Sequence, residues 1–136
     1  MIRCLLGIVP IFALVLASAG EKYAPLPDEI VKAEAVFLQN DSGQQNLTDE
    51  MYRALKAWGR WRVVTNRADA ELVFSIDRKP LDSSDRFRNN FYLHVLNART
   101  GESLLTLKRN KVLGRTGDVV KQLVTDLKDR LPQDNR

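Results

Sequence analysis

Alternating and periodic apolar residues divide residues 33–131 into strands and helices. Both faces of 33–39 are apolar, which predicts a strand in the interior of a sheet. Four apolar residues then recur at helical spacing: Leu47, Met51, Leu55 and Trp58. We expect Thr48 to cap this helix and Gly59 to end it in the left-handed conformation. A second strand, 61–64, follows directly, so the order strand, helix, strand is predicted here.

Three further strands are predicted in the second half of the chain. Residues 71–77 and 91–96 alternate between apolar and polar positions, which is typical of half-buried strands. The intervening segment 78–90 is mostly polar, and we expect a long solvated loop there. Residues 97–101 end in glycine and predict a hairpin turn into a last strand at 104–107.

A final helix completes the pattern and settles the predicted fold class. Residues 108–117 look basic and irregular, and Asp118 is the expected N-cap of the helix that follows. The apolar stripe of this helix runs to Leu131, and the tail 133–136 is expected to fray. The predicted order is β-α-β-β-β-β-α. This order favours an α+β two-layer sandwich, in which a mixed sheet of four to five strands has both helices on one face.

The amino terminus has the pattern of a secretory signal peptide. Arg3 precedes an apolar run, and the small residues 17–19 provide a signal-peptidase site after Ala19. The alternative is a retained membrane anchor, but the apolar run has 15 residues and spanning a bilayer takes roughly 20. We therefore predict a cleaved signal peptide at 1–19 and a periplasmic or secreted protein without a transmembrane span. A Pro-containing linker at 20–32 would then lead into a single domain at 33–132.

Composition excludes several kinds of chemistry. The chain has 136 residues, a net charge of +4, one Cys and one His. A Cys/His zinc cluster and a disulfide framework are therefore impossible. A Ser-His-Asp hydrolase would depend on His94, and a Cys–His pair on Cys4, which lies in the predicted signal peptide. The sequence thus predicts no catalytic residue set, no metal site and no cofactor, and we expect a protein that is not an enzyme.

Several segments together resemble a group of bacterial envelope domains. The strand and polar loop at 35–43, the helix that ends at Trp58 and leads into 61–64, the strand entry at 68–73 and the hairpin at 97–101 share the rhythm of that group. The group includes the curli-secretion lipoprotein, the lipoprotein activators of penicillin-binding proteins and the amino-terminal domain of the Tol-system β-propeller protein. The resemblance covers residues 33–131 and implies a domain that works by protein contact. It implies no catalytic residues.

An uneven charge distribution suggests where a partner could bind. Residues 20–52 carry 2 basic and 7 acidic side chains, whereas residues 53–111 carry 13 basic and 6 acidic ones. Together with one tryptophan, basic residues form the predicted partner-binding set: Arg60, Trp61, Arg86, Arg88, Lys108, Arg109 and Lys111. The structural alternative is a solvated surface of scattered charges, with Trp61 covering the sheet.

The favoured function is binding of an unidentified protein of the bacterial cell envelope. One alternative is a binder of polyanions or of anionic groups at a membrane surface. Another is a small enzyme or enzyme subunit that uses carboxylates such as Asp41, Asp49 or Asp77. Nucleic acid is disfavoured, because export separates the chain from it and the aromatic spacing of a single-strand platform is missing.

Overall fold

The computed structural model describes residues 23–80, 89–111 and 116–132. The segments predicted to be a signal peptide and a frayed tail, 1–19 and 133–136, lie outside the described residues. Helices and strands follow one another as α1 Asp28–Lys32, β1 Ala35–Asn40, α2 Gln45–Trp58, β2 Arg62–Val64, a 3-10 turn Arg67–Asp69, β3 Leu72–Pro80, β4 Asn89–Asn97, β5 Ser103–Lys111 and α3 Thr116–Arg130.

The five strands form one mixed sheet in the order β2-β1-β3-β4-β5. Strand β1 pairs in parallel with both β2 and β3, and the ladder continues antiparallel through β4 to β5. The interior position of β1 agrees with its two apolar faces. Among the described strands, β2 and β5 therefore form the two edges of the sheet.

Helices α2 and α3 cover one face of the sheet. Helix α2 packs on β1 and β2, helix α3 packs on β5, and the two helices contact each other. Alternate residues of each strand, such as Leu72, Phe74 and Ile76 of β3, point into the core between the two layers. The predicted α+β two-layer sandwich is confirmed, with five strands in its sheet.

A short helix lies in the segment that the sequence predicts to be a linker. Helix α1 begins after Pro27, and its Ile30 is fully buried in the core. The guanidinium of Arg60 donates a 3.0 Å hydrogen bond to the carbonyl oxygen of Val31, which ties the segment to the turn before β2. The sequence does not predict α1, because a five-residue helix is too short to show an apolar stripe and two prolines precede it.

Helix α2 begins three residues before the expected cap. Its N-cap is Gln44, and Thr48 lies inside the helix with its Oγ1 buried. The Asn40 amide donates to the carbonyl of Gln44 at 2.7 Å, and the Ser42 hydroxyl accepts from the Gln44 N–H at 3.1 Å. These side chains fix the loop and start the helix early. Gly59 has a φ of +75° and ends the helix as predicted.

The strands are longer than the sequence predicts. The β3–β4 ladder runs to the pair Pro80 and Asn89, and β5 continues to Lys111. The ends of the predicted loop 78–90 and the beginning of the predicted irregular segment 108–117 are therefore strand. Ladder hydrogen bonds join backbone groups, so a strand whose exposed side chains are polar or basic lacks the apolar alternation on which a sequence prediction depends.

The remaining local predictions concern a turn and a helix start. The hairpin at 97–101 is confirmed: Gly101 has a φ of +75°, and the Asn97 carboxamide oxygen accepts from the N–H groups of the next turn residues at 2.9 and 3.0 Å. Helix α3 begins at Thr116, so Asp118 lies in its first turn and is not its cap. A carboxylate in the first turn still favours the helix through the helix dipole.

Candidate partner-binding surface

The face of the sheet turned away from α2 and α3, here called the outer face, carries ordered polar side chains. Residues paired across strands share a face, and their side chains are neighbours. Two rows cross the outer face from β3 to β5: Asp77, Tyr92 and Lys108 in one row, and Ser75, His94 and Thr106 in the next. The fold therefore gathers an aromatic ring, a histidine and several charged groups on one surface.

Tyr92 lies between two lysine side chains on the outer face. The Nζ atoms of Lys79 and Lys108 are 5.6 and 5.9 Å from the centre of its ring, within the range of a cation–π interaction. Asp77 Oδ2 lies 3.7 Å from Lys79 Nζ and offsets part of this positive charge. We call Lys79, Tyr92 and Lys108 the lysine–tyrosine cluster. Both lysines are exposed, so the cluster presents positive charge over a half-buried aromatic ring.

His94 holds the Tyr92 ring from the neighbouring row. The two rings are stacked with an interplanar angle of 4° and a centroid distance of 5.8 Å. His94 Nδ1 lies 3.0 Å from the hydroxyl of Thr106, which fixes the imidazole in turn. Because its neighbours already hold the Tyr92 ring, Tyr92 itself loses little side-chain freedom when a partner binds.

Asp41 directly follows β1 and lies at the β1 end of the second row. The Ser75 hydroxyl donates to the Asp41 carboxylate, and the Gln39 amide lies 3.0 Å from both carboxylate oxygens. These hydrogen bonds, with that from Ser75 first, lower the pKa of the Asp41 carboxyl below its ordinary value, and the nearby His94 adds to the effect. The row therefore has an ionised carboxylate at one end, while the lysine–tyrosine cluster provides positive charge in the neighbouring row.

The residue types of a Ser-His-Asp triad meet on the outer face, but their hydrogen bonds have the wrong order for nucleophilic catalysis. A triad needs the serine hydroxyl to give its proton to the histidine, which the aspartate orients. Here the Ser75 hydroxyl donates to Asp41, and His94 Nδ1 pairs with Thr106. This connectivity holds the loop after β1 against β3 and does not activate Ser75.

The three carboxylates considered for an enzyme are separated. Asp41 is engaged by Ser75, and Asp77 lies beside Lys79 on the outer face. Asp49 is exposed on α2, in the other layer, where it accepts a weak hydrogen bond from Gln45 at 3.4 Å. An enzyme that uses these carboxylates as a pair needs at least two of them in one cleft, and their positions on the outer face and α2 do not bring the three together.

Arg109 of the predicted set faces the helix layer. Its guanidinium makes two hydrogen bonds to the Asp126 carboxylate, at 2.7 and 2.6 Å, and these bonds raise its pKa above the ordinary value. Such a two-pronged pair fixes geometry as well as charge. Arg109 therefore joins β5 to α3, whereas its neighbour Lys108 projects from the outer face.

Trp61 of the predicted set lies in the core. Its side chain is 5% exposed and meets the rings of Trp58 and Phe74 edge to face, at centroid distances of 4.9 and 5.1 Å. The guanidinium carbon of Arg60 lies 5.4 Å from the centre of the Trp61 ring, and the same guanidinium donates a hydrogen bond to the carbonyl oxygen of Val31 in α1. Trp61 is therefore part of the core packing and offers a partner almost no surface.

The predicted set does not form one patch. Arg60 and Trp61 precede β2 at one edge of the sheet, whereas Lys108, Arg109 and Lys111 lie on β5 at the other edge. The remaining two members, Arg86 and Arg88, lie outside the described residues. Tyr92 is not among the site residues predicted from the sequence. The strand pattern 91–96 places Tyr92 on the face opposite its apolar residues, and that was the available signal.

Two clefts border the described domain. One, of about 620 Å³, is lined by residues of both charge signs from α1, the 3-10 turn and the β4–β5 hairpin. The other, of about 570 Å³, lies beside β5 and is lined by Tyr23, Lys108, Arg109, Asn110, Asp126 and Arg130. The second cleft thus adjoins both the lysine–tyrosine cluster and the edge of the sheet.

The described residues contain neither a cluster of metal ligands nor a helix that could span a membrane. In the described ranges, no three His, Cys, Asp or Glu side chains come together in a way that could hold a metal ion. Nor does any helix in these ranges combine the length and the apolar character needed to cross a bilayer.

Comparison with known proteins shows a similarity in fold and no family. No family model matches the sequence, and no curated protein matches it either. The fold is similar to those of several bacterial envelope proteins, as the resemblance in the sequence predicts. PelC from Paraburkholderia phytofirmans, described as a dodecamer, matches with a TM-score of 0.50 and 11% identity, over 81% of this chain and 96% of that chain.

Two further solved structures have a similar fold. TolB from Acinetobacter baumannii matches with a TM-score of 0.50 and 14% identity, over 82% of this chain but 31% of TolB. The C-terminal domain of LpoB from Salmonella enterica has a TM-score of 0.44 and 11% identity, over 59% of this chain and 83% of that domain. At these identities the likeness concerns the fold alone.

Proposed function

We propose that this chain is an exported, non-enzymatic domain that binds an acidic protein of the bacterial cell envelope through its outer face. The observation that carries the proposal is the lysine–tyrosine cluster, in which two exposed ammonium groups flank one immobilised ring. Tyrosine is one of the residue types enriched where interfaces contribute most to binding, and the two lysines add positive charge beside it. The expected signal peptide and the fold shared with envelope proteins support the location.

Charge determines which kind of partner fits. The end of the outer face near Lys79 and Lys108 is positive, and a complementary acidic surface would be attracted from solution and oriented by it. Asp77 partly offsets one of the lysines, which favours a partner with a few placed carboxylates over a uniformly charged polymer. Polyanions and anionic membrane surfaces are therefore the competing partners that an experiment must separate.

Retention of a partner from envelope extract tests the proposal. We expect the protein to retain one acidic protein at low and at high salt, because a specific interface survives screening that removes diffuse attraction. The double variant Lys79→Glu, Lys108→Glu should lose this protein. A control with the same change in net charge, Lys56→Glu with Lys121→Glu on the exposed surfaces of α2 and α3, should retain it.

The other outcomes discriminate among the functions. Recovery of many anionic species at low salt only would favour the polyanion alternative. Equal loss of the partner by the double variant and by the control would show that net charge, and not the lysine–tyrosine cluster, governs binding. If nothing is retained under either condition, the proposal fails and the enzyme alternative is favoured.

A further inference from the structure

We infer that β5 accepts the partner as an additional strand, and that the segment it accepts is extended and acidic at every second residue. This inference rests on the proposed function, because it specifies how the same surface holds the acidic protein. Its support is the edge of β5, which pairs with no further strand among the described residues, together with the side-chain pattern along that edge and the cleft beside it.

Strand β5 is the long free edge of the described sheet. It has nine residues and pairs with β4 on one side, whereas the opposite edge, β2, has only three residues. An edge strand presents backbone N–H and C=O groups that a further strand can pair with. From Leu105 to Lys111 the pairing of β5 with β4 is regular, and this stretch provides enough of these groups for an added strand, because peptides recognised in this way obtain much of their affinity from the main chain.

The side chains of β5 alternate between two environments. Thr106 and Lys108 face outward in the rows described above, and Lys108 belongs to the lysine–tyrosine cluster. Arg109 faces the helix layer, where Asp126 already takes its charge. An added strand places its own side chains beside these, so carboxylates are favoured on the outer side beside Lys108, whereas on the other side Asp126 already neutralises Arg109.

Space beside the edge is already present. The cleft of about 570 Å³ runs along β5 and is lined on its far side by Asp126 and Arg130 of α3. Arg130 is held over the ring of Tyr23, with its guanidinium carbon 4.7 Å from the ring centre. The helix layer therefore forms one wall beside the edge strand and leaves the outer side open.

The charge of the edge selects between a different protein and a second copy of this chain. If two copies paired antiparallel with the strands centred on Lys108, the two Lys108 ammonium groups would face one another, and like charges opposite each other destabilise a strand pair. Lysines on an edge strand are a common protection against such self-pairing. The same lysines would attract an acidic strand, so β5 is suited to a heterotypic partner.

Synthetic peptides test the inference on the exported protein. The probe is a nine-residue peptide that alternates Glu and Val, and its control has the same composition with the Glu residues in one block. We expect the alternating peptide to bind at least about tenfold more tightly, because only its carboxylates can all lie beside the outer face. Alternate β5 amides, those not bonded to β4, should gain protection from hydrogen exchange.

Two N-methylated forms of the alternating peptide distinguish strand addition from simple attraction. In an extended peptide the N–H groups of the Glu residues all point to one side, and those of the Val residues to the other. Methylating one set should weaken binding by about tenfold or more, because several backbone hydrogen bonds are lost together. Methylating the other set should have little effect, and which set matters reveals the direction of the added strand.

Each remaining outcome has a definite meaning. If neither methylated set weakens binding, or if the block peptide binds equally well, strand addition is wrong while the proposed function still stands on the Lys79→Glu, Lys108→Glu result. If no peptide binds at millimolar concentration, or if the exported protein is already a dimer joined through β5, the inference is overturned. Failure of the proposed function is seen separately, as partner retention that survives the double charge reversal.

Discussion

Replacing Trp61 by alanine should lower the free energy of unfolding by about 3–5 kcal/mol, which is the usual cost of removing a large aromatic side chain from a core. The Trp61 ring is 5% exposed and packs edge to face on Trp58 and Phe74, so alanine would leave a cavity beneath the end of α2. Chemical denaturation with a single transition would measure the loss. We expect the variant to fold at low temperature and to bind its partner normally.

Trp58 provides the matched control for this substitution. Its side chain is partly buried against the core and lies 5.4 Å from the ammonium of Lys128, so Trp58→Ala should cost clearly less stability than Trp61→Ala. A loss below about 1 kcal/mol for Trp61→Ala would contradict the structural assignment. So would a protein of normal stability that no longer binds its partner, because that result would make Trp61 a contact residue.

Replacing Ile30 by alanine should lower the free energy of unfolding by about 2–5 kcal/mol. Ile30 is fully buried, although it lies in the segment that the sequence predicts to be a linker. Its removal leaves a hole between α1 and the core and loosens the segment whose carbonyl, at Val31, accepts the Arg60 hydrogen bond. Denaturation measurements would again report the change.

An exposed neighbour separates burial from helix formation in α1. Glu29→Ala in the same helix should change stability by no more than about 0.5 kcal/mol, because its side chain is exposed. If Ile30→Ala and Glu29→Ala behave alike and both are nearly neutral, the segment is the linker that its prolines suggest. A large loss for Ile30 alone makes residues 28–32 part of the folded domain.

The fold was predictable where local patterns and tertiary structure agree. The two apolar faces of β1, the left-handed Gly59 after α2 and the Gly101 hairpin each carry their signal within a few residues. Helix α1 and the polar end of β5 carry no such signal. Ile30 is buried by residues distant in the sequence, and β5 is extended to Lys111 by backbone pairing with β4.

The candidate site was predictable only in part. The charge of Lys108 predicts it as a site residue, and Lys108 lies on the outer face. Tyr92 becomes a site residue only through its neighbours on two other strands, which bring Lys79 and Lys108 to its ring. Trp61 shows the converse, since an aromatic residue next to arginine has the same local sequence whether the ring lies at an interface or in the core.

Long-range pairs explain the remaining differences. Arg109 was grouped with Lys108, yet its partner Asp126 is 17 residues away and turns it toward α3. Asp41 is one of the carboxylates of the enzyme alternative, and the Ser75 hydroxyl that engages it is 34 residues away. Neither separation has a fixed spacing that a sequence pattern could reveal.

Site-specific photocrosslinking in the host cell tests most directly whether the outer face is the binding surface. A photoreactive side chain would replace Thr106 or Asn110 on the outer face, and Lys121 or Thr125 on the exposed side of α3 as controls. We predict one covalent adduct, with the same acidic envelope protein, from positions 106 and 110 and none from positions 121 and 125. An adduct with that protein from α3 alone would contradict the proposal, because the partner would then lie on the helix layer.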